Sequence, residues 1–261
     1  MPKLLLAKPI IARLEPALLG RLENLKKRGI KPKFVDYWIG SDRASAVFLD
    51  AKRARAAELD IDMIIREHAS TILPDIVAMR MEADAADRDT HGIMVQLPLL
   101  ASYNTQTLID LIPPVKDVDA LRADSPYSSP VAEAVKALLG GIWLEGKSIC
   151  VVGGGATAGA PIIQMLNKQG TMPTVLDKTS PNPSLQTQKA DLLITATPER
   201  NFINETWLKD GVVIIDVAGN VKPEAAEVKA SAYTPRIGAV GPLTVHFLMD
   251  NVVTAAERQT Q

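Results

Sequence analysis

Apolar residues recur at three- and four-residue spacing along "PIIARLEPALLGRLENLKKRG", Pro9 to Gly29, which predicts an amphipathic helix closed by a glycine. "KFVDYWIG" is short, β-branched and aromatic and reads as a strand. A helix over about Asp42–Leu59, a strand "IDMII", a helix over about Asp75–Asp87 and a strand "GIMVQLP" follow. This βα repetition predicts a mostly parallel sheet covered by helices. "LIPPVKDVDALRADSPYSSP" then breaks every periodicity and is both a candidate domain junction and a candidate site loop. The alternation restarts with the strand "KSICVV", the helix "ATAGAPIIQMLNKQG" and the strands "PTVLD", "ADLLITAT" and "GVVIIDVAG". The fold class is α/β with two dissimilar lobes: a parallel-sheet lobe over 1–122 and a Rossmann-type lobe over 123–242.

Composition narrows the functions. Lys plus Arg number 29 against 30 Asp plus Glu in 261 residues, a net charge of −1, so no global field favours nucleic acid or an anionic membrane. The single cysteine, Cys150, forms no internal disulfide, and no Cys/His cluster suggests a metal, which fits a reducing, cytoplasmic compartment. The N-terminal apolar run is broken by Lys8, Pro9, Arg13 and Glu15 and reads as the first helix of a soluble protein, not as a targeting segment.

Gly153, Gly155 and Gly159 follow a strand and open a helix, the setting in which backbone N–H groups approach a pyrophosphate at a positive helix terminus. Asp177 ends the next strand, where a carboxylate can accept both hydroxyl hydrogen bonds of an adenosine ribose. The bland alternative is a glycine turn chosen for strand–helix packing. A carboxylate near the ribose 2′ position disfavours a 2′-phosphate, so NAD is expected over NADP, although Lys178 softens that field.

In the first half, Phe48 and Lys52 lie one helical turn apart on one face. The pair reads either as a stacking aromatic beside a reactive amine, or as a core phenylalanine beside a snorkelling lysine. Gln96 ends a parallel-type strand, the edge at which open α/β sheets bind ligands, and Asp117 and Asp119 occupy a proline-braced loop. His68, His91 and His246 form no recognisable set. Trp38, Trp143 and Trp207 read as packing residues.

The stretches "GSDRASAVFLDAKRARA", "GIMVQLPL", "PPVKDVDAL", "VVGGGATAGAPI", "ADLLITA", "GVVIIDVAGN" and "GAVGPLTV", in this order, resemble the bifunctional methylenetetrahydrofolate dehydrogenase/cyclohydrolase family over nearly the whole chain. The resemblance implies folate between an N-terminal α/β lobe and a Rossmann lobe, a C-terminal helix over about 243–261 returning to the first lobe, NAD(P) as cofactor and a homodimer. It also implies oxidation of 5,10-methylene-tetrahydrofolate to the methenyl cation, then hydrolysis to 10-formyl-tetrahydrofolate. By position it makes Lys52 the catalytic lysine, Gln96 the residue that tunes it, and Asp119 the carboxylate gripping the pterin. Phe48, Gly241 and Pro242 fall on the substrate side. Gly153, Gly154, Gly155, Gly159, Asp177 and Thr197 fall on the cofactor side.

This chain departs from the family pattern at several points. Phe48 stands where the family usually has tyrosine, and Gly153-Gly154-Gly155 replaces Gly-Arg-Ser, removing the arginine that would meet a 2′-phosphate. Ala120 replaces a glycine after KDVD, Pro198 another after a Rossmann strand, and Ile237-Gly238-Ala239 stands for Pro-Gly-Gly. An alanine where the backbone needs positive φ costs about 1 kcal/mol. A monofunctional NAD-dependent dehydrogenase and a non-catalytic folate- or nucleotide-binding paralogue therefore stand as alternatives.

Overall fold

The structure is a computed structural model that describes every residue except Ser41, Asp42, Gly141, Trp143 and Gln261; the expected helix start at Asp42 and the packing role of Trp143 lie outside the described residues. In chain order the main elements are β1 (Lys3–Leu4), α1 (Ala7–Lys27), β2 (Lys33–Ile39), α2 (Arg43–Glu58), β3 (Asp62–His68), α3 (Pro74–Ala86), β4 (Gly92–Val95), α4 (Thr105–Asp110) and α5 (Pro130–Leu139). They continue with β5 (Ile149–Val152), α6 (Gly159–Lys168), β6 (Thr174–Leu176), α7 (Pro183–Thr187), β7 (Leu192–Thr195), β8 (Val212–Asp216), α8 (Pro223–Lys229), β9 (Ala230–Tyr233) and α9 (Val240–Gln259).

The chain divides into two compact units, one of Arg13–Pro130 with Val245–Gln261, the other of Met1–Ala12 with Val131–Thr244. The first holds a parallel three-stranded sheet in the order β3-β2-β4. On one face Phe34 and Met94 pack with Leu18, Leu25, Ala56 and the Val245, Leu248, Met249 and Val252 stripe of α9. On the other, Val35, Tyr37, Ile93 and Val95 pack with Val77 and Met81. The period-2 pleat thus sends successive residues of β2 into two different cores.

The second unit holds a parallel six-stranded sheet in the order β1-β9-β8-β7-β5-β6. Its order reverses between β5 and β7, the switch point at whose carboxyl edge doubly wound sheets bind ligands. Cys150, Val152, Leu193, Ile203 and Ile214 form its core.

Two sequence boundaries change. Residues 1–12 belong to the nucleotide-type unit because Lys3 pairs with Ala232 and Leu5 donates its N–H to the Tyr233 carbonyl at 2.9 Å. Residues 123–130 belong to the other unit, held there by Asn251 of α9, whose Nδ2 donates to the carbonyls of Val118 and Ser128 at 2.8 and 2.9 Å.

Candidate active site

Parallel register sets Asp36 of β2 beside Met94 of β4, and Gln96, two residues further along, continues the same face. Helix α2 covers that face and brings Phe48 and Lys52 to it one turn apart. The Lys52 ammonium donates to Asp36 Oδ2 and to Gln96 Oε1 at 2.8 Å and touches Met94 Sδ at 3.7 Å. Gln96 Nε2 donates to the Leu97 carbonyl at 2.9 Å, which fixes the amide with its oxygen toward the lysine. The Lys52 and Asp36 side chains are both 0% exposed, so the snorkelling reading of Lys52 is excluded. The Phe48 ring, part-buried against the core, lies with its centroid 5.5 Å from Nζ, within cation–π range.

Asp36 was invisible as a site residue in the sequence. Its signal is an acid at a core-facing position of an otherwise apolar strand, and such a side chain is rarely buried without a partner. Burial pushes its carboxyl up from the ordinary value, and the Lys52 charge opposes that push. Its Oδ1 has no hydrogen-bond partner among the described residues.

The residues of the KDVD segment have different surroundings. Lys116 Nζ donates to the carbonyls of Ala85 and Asp87 at 2.8 and 2.6 Å, capping the C-terminus of α3 as a lysine does favourably there. Asp117 accepts the N–H groups of Leu121 and Arg122 at 3.2 and 2.9 Å, a turn-forming role common for an aspartate in a loop. Asp119 is half-buried, and burial raises its carboxyl to about 7, with Lys52 opposing and Asp117 and Asp36 adding to the rise. Ala120 sits at φ +55°, so the alanine that replaces a glycine does occupy a left-handed position.

In the other unit a cavity of about 620 Å³ is lined by Gly153 and Gly155 after β5, Asp177 and Lys178 after β6, and Thr197 after β7. A Cβ on Gly153, at φ +100°, would stand 2.5 Å from the Ala196 carbonyl oxygen, and one on Gly159 would stand 2.0 Å from that of Gly153. Strand and helix therefore meet backbone to backbone, the close approach a dinucleotide turn needs. Thr197 presents to this region a buried hydroxyl without a partner among the described residues. The residues fit a dinucleotide: α6 opens at Gly159 directly after the glycine turn that lines the cavity, and an acid stands just beyond the end of β6. Gly154 lies in the same loop, nearest to Val175 and Ile163.

Asp177 Oδ1 accepts from the Thr179 N–H at 2.8 Å, the Thr179 hydroxyl at 2.7 Å and the Ser180 hydroxyl at 3.1 Å. These bonds, the Thr179 hydroxyl foremost, lower its carboxyl and hold it ionised. They leave Oδ2 without a partner among the described residues. Trp207, expected only to pack, lines the cavity and meets Phe202 edge-on at 5.6 Å. His68 and His91 serve neighbours, with ring nitrogens 3.1 Å from Arg80 Nη1 and from the Lys33 N–H respectively. Gly241 and Pro242 stand in the first turn of α9, within the second unit.

Residues 5–119 match the tetrahydrofolate dehydrogenase/cyclohydrolase catalytic domain, and residues 129–260 match the NAD(P)-binding domain of the same family. The bifunctional protein FolD of Lactobacillus acidophilus is 32% identical, with 99% of each chain covered. That of Bacillus subtilis is 31% identical over 92% of this chain and 93% of its own. Among solved structures, the bifunctional methylenetetrahydrofolate dehydrogenase/cyclohydrolase FolD of Campylobacter jejuni superposes with a TM-score of 0.91 at 27% identity, covering 99% of both chains. With both of its domains matched and its two sheets laid out as described, this chain belongs to the tetrahydrofolate dehydrogenase/cyclohydrolase family.

Proposed function

We propose that the protein oxidises 5,10-methylene-tetrahydrofolate to the 5,10-methenyl cation and hydrolyses that cation to 10-formyl-tetrahydrofolate, with oxidation the stronger activity. The observation that carries this reading is the lysine buried among Asp36, Gln96 and Phe48, with the raised carboxyl of Asp119 close enough to feel its charge. Asp119 binds the pterin: its two oxygens match the planar donor pair of the pterin amino group and ring N–H. Phe48 stacks on the flat substrate, and Lys52, held by Gln96, is the catalytic lysine. Gly241 and Pro242 contribute on the folate side, as the resemblance implies.

NAD, bound across Gly153, Gly154, Gly155 and Gly159 with a ribose hydroxyl on Asp177 and Thr197 alongside, supplies the hydride acceptor. The ionised Asp177 supports NAD over NADP, because a 2′-phosphate beside it costs on the order of 1–4 kcal/mol. The expected working form is a cytoplasmic homodimer, as the resemblance implies.

Phe48 supports the weaker second step. Its ring offers no hydroxyl to order a water beside Lys52, so hydrolysis has lost one positioned group. The test is spectrophotometric: purified protein turns over methylene-tetrahydrofolate, and Lys52→Ala, where it folds, loses that turnover. A folded Lys52→Ala that retains wild-type turnover sinks the assignment of the lysine.

A further inference from the structure

We propose that Asp36 is a positioning residue that acts through Lys52, cancelling the lysine's charge beside the substrate and so favouring oxidation over hydrolysis. This rests on the folate reading above. The Lys52 ammonium is enclosed. Its directions are taken by Asp36 Oδ2, Gln96 Oε1 and Met94 Sδ, and neither charged side chain has exposed surface. Asp36 Oδ1 has no donor among the described residues, and the cation bonded to the carboxylate there is Lys52. Among the described residues the other charged group coupled to the pair is Asp119, from the segment after the Pro114–Lys116 turn, and Asp117 acts on Asp119 in turn. The remaining neighbours, Met94 and Gln96 from the β4 edge and Phe48 from α2, carry no charge.

The two reactions make opposite demands on this pair. In oxidation the substrate's methylene carbon loses a hydride, that is, one proton and two electrons, and a positive charge spreads over the carbon and its two nitrogens. An isolated ammonium nearby would oppose that charge at close range and low dielectric; a lysine already neutralised by Asp36 does not. In hydrolysis a water adds its oxygen to the same carbon and releases a proton, after which one carbon–nitrogen bond opens to leave the formyl group. A base is wanted there, and a lysine that gave up its proton would strand Asp36 as a buried carboxylate without a counter-charge. The pair therefore holds Lys52 to the first task.

The test compares wild type, Asp36→Asn and Asp36→Glu for methylene oxidation and, without any nucleotide, for methenyl hydrolysis across pH. For Asp36→Asn the expected result is an oxidation kcat lowered about 10- to 100-fold with KM changed by less than about threefold. The ratio of hydrolysis to oxidation should rise at least about tenfold, with a new increase of hydrolysis toward alkaline pH as the unpaired amine becomes a base. Asp36→Glu keeps the charge, so both rates fall together and the ratio stays near wild type; it also reports on the site where Asn fails to fold. A folded Asp36→Asn with unchanged kcat, KM and pH profile overturns the proposal, as does an Asp36→Glu whose ratio moves as the Asn variant's was expected to. A parallel loss of both activities in Asp36→Asn with the wild-type pH profile also overturns it, because that marks a purely structural residue. Absence of any methylene oxidation in wild type sinks the folate reading itself, which is a different outcome from an indifferent Asp36.

Discussion

Phe48 and Asp119 show how single side chains set the balance of this site. The Phe48 ring stands 5.5 Å from the lysine nitrogen and contributes its face but no proton carrier. Phe48→Tyr is expected to raise methenyl hydrolysis about tenfold, with methylene oxidation changed far less; equal effects on both rates would contradict the role given to the missing hydroxyl. Asp119 bears on stability as well as on substrate. Its folded carboxyl sits at about 7, above the ordinary value. Between the two, the folded protein holds a proton that the unfolded chain has released, so this group makes stability fall as pH rises through that window. Asp119→Asn removes the effect: it is expected to be as stable as wild type near pH 4 and more stable by on the order of 2–4 kcal/mol above pH 7. The same variant loses folate affinity. Chemical denaturation at several pH values reads the first result, and titration with a folate analogue reads the second.

At the scale of elements, the helix α9 is fastened to α1 by Arg21. Its guanidinium donates to Glu257 at 2.7 Å, to Asp250 at 2.7 Å and to the Thr254 hydroxyl at 2.6 Å, beside the apolar stripe that α9 lays on the first core. Because the geometry is forked and shared among several acceptors, the arrangement is worth more than an isolated surface pair. Arg21→Ala is expected to lower unfolding stability by about 1–3 kcal/mol without changing kcat for oxidation. A loss confined to activity would contradict the clamp. The βα alternation, the glycine turn and the strand carrying Gln96 were legible from periodicity because each has enough residues to show one. β1 was not. Two residues have no period, and Lys3–Leu4 becomes a strand only because β9 offers it partners far along the chain. Asp36 was hidden for a related reason: the pattern of β2 announces a buried strand, but only the arrival of Lys52 from α2 explains an acid within it.

At the scale of the whole molecule, chemistry is divided between units built from interleaved parts of the chain, each with its own parallel sheet and core. No described helix is long and apolar enough to cross a membrane. The resemblance read from the sequence already reached the family, because VQLPL and KDVD are specific. It could not say which residues of those motifs are structural, and the structure gives Lys116 to a helix end and Asp117 to a turn. The proposed preference for NAD rests on two loops: the glycine turn after β5 carries no arginine, and Asp177 after β6 is held as an anion by Thr179 and Ser180. The most direct measurement is therefore the rate of methylene-tetrahydrofolate oxidation by the purified protein with NAD and with NADP. The account expects turnover with NAD at a kcat/KM at least about tenfold above that with NADP, a discrimination of about 1.4 kcal/mol. Turnover with neither cofactor, in protein that is folded and binds folate, would contradict it.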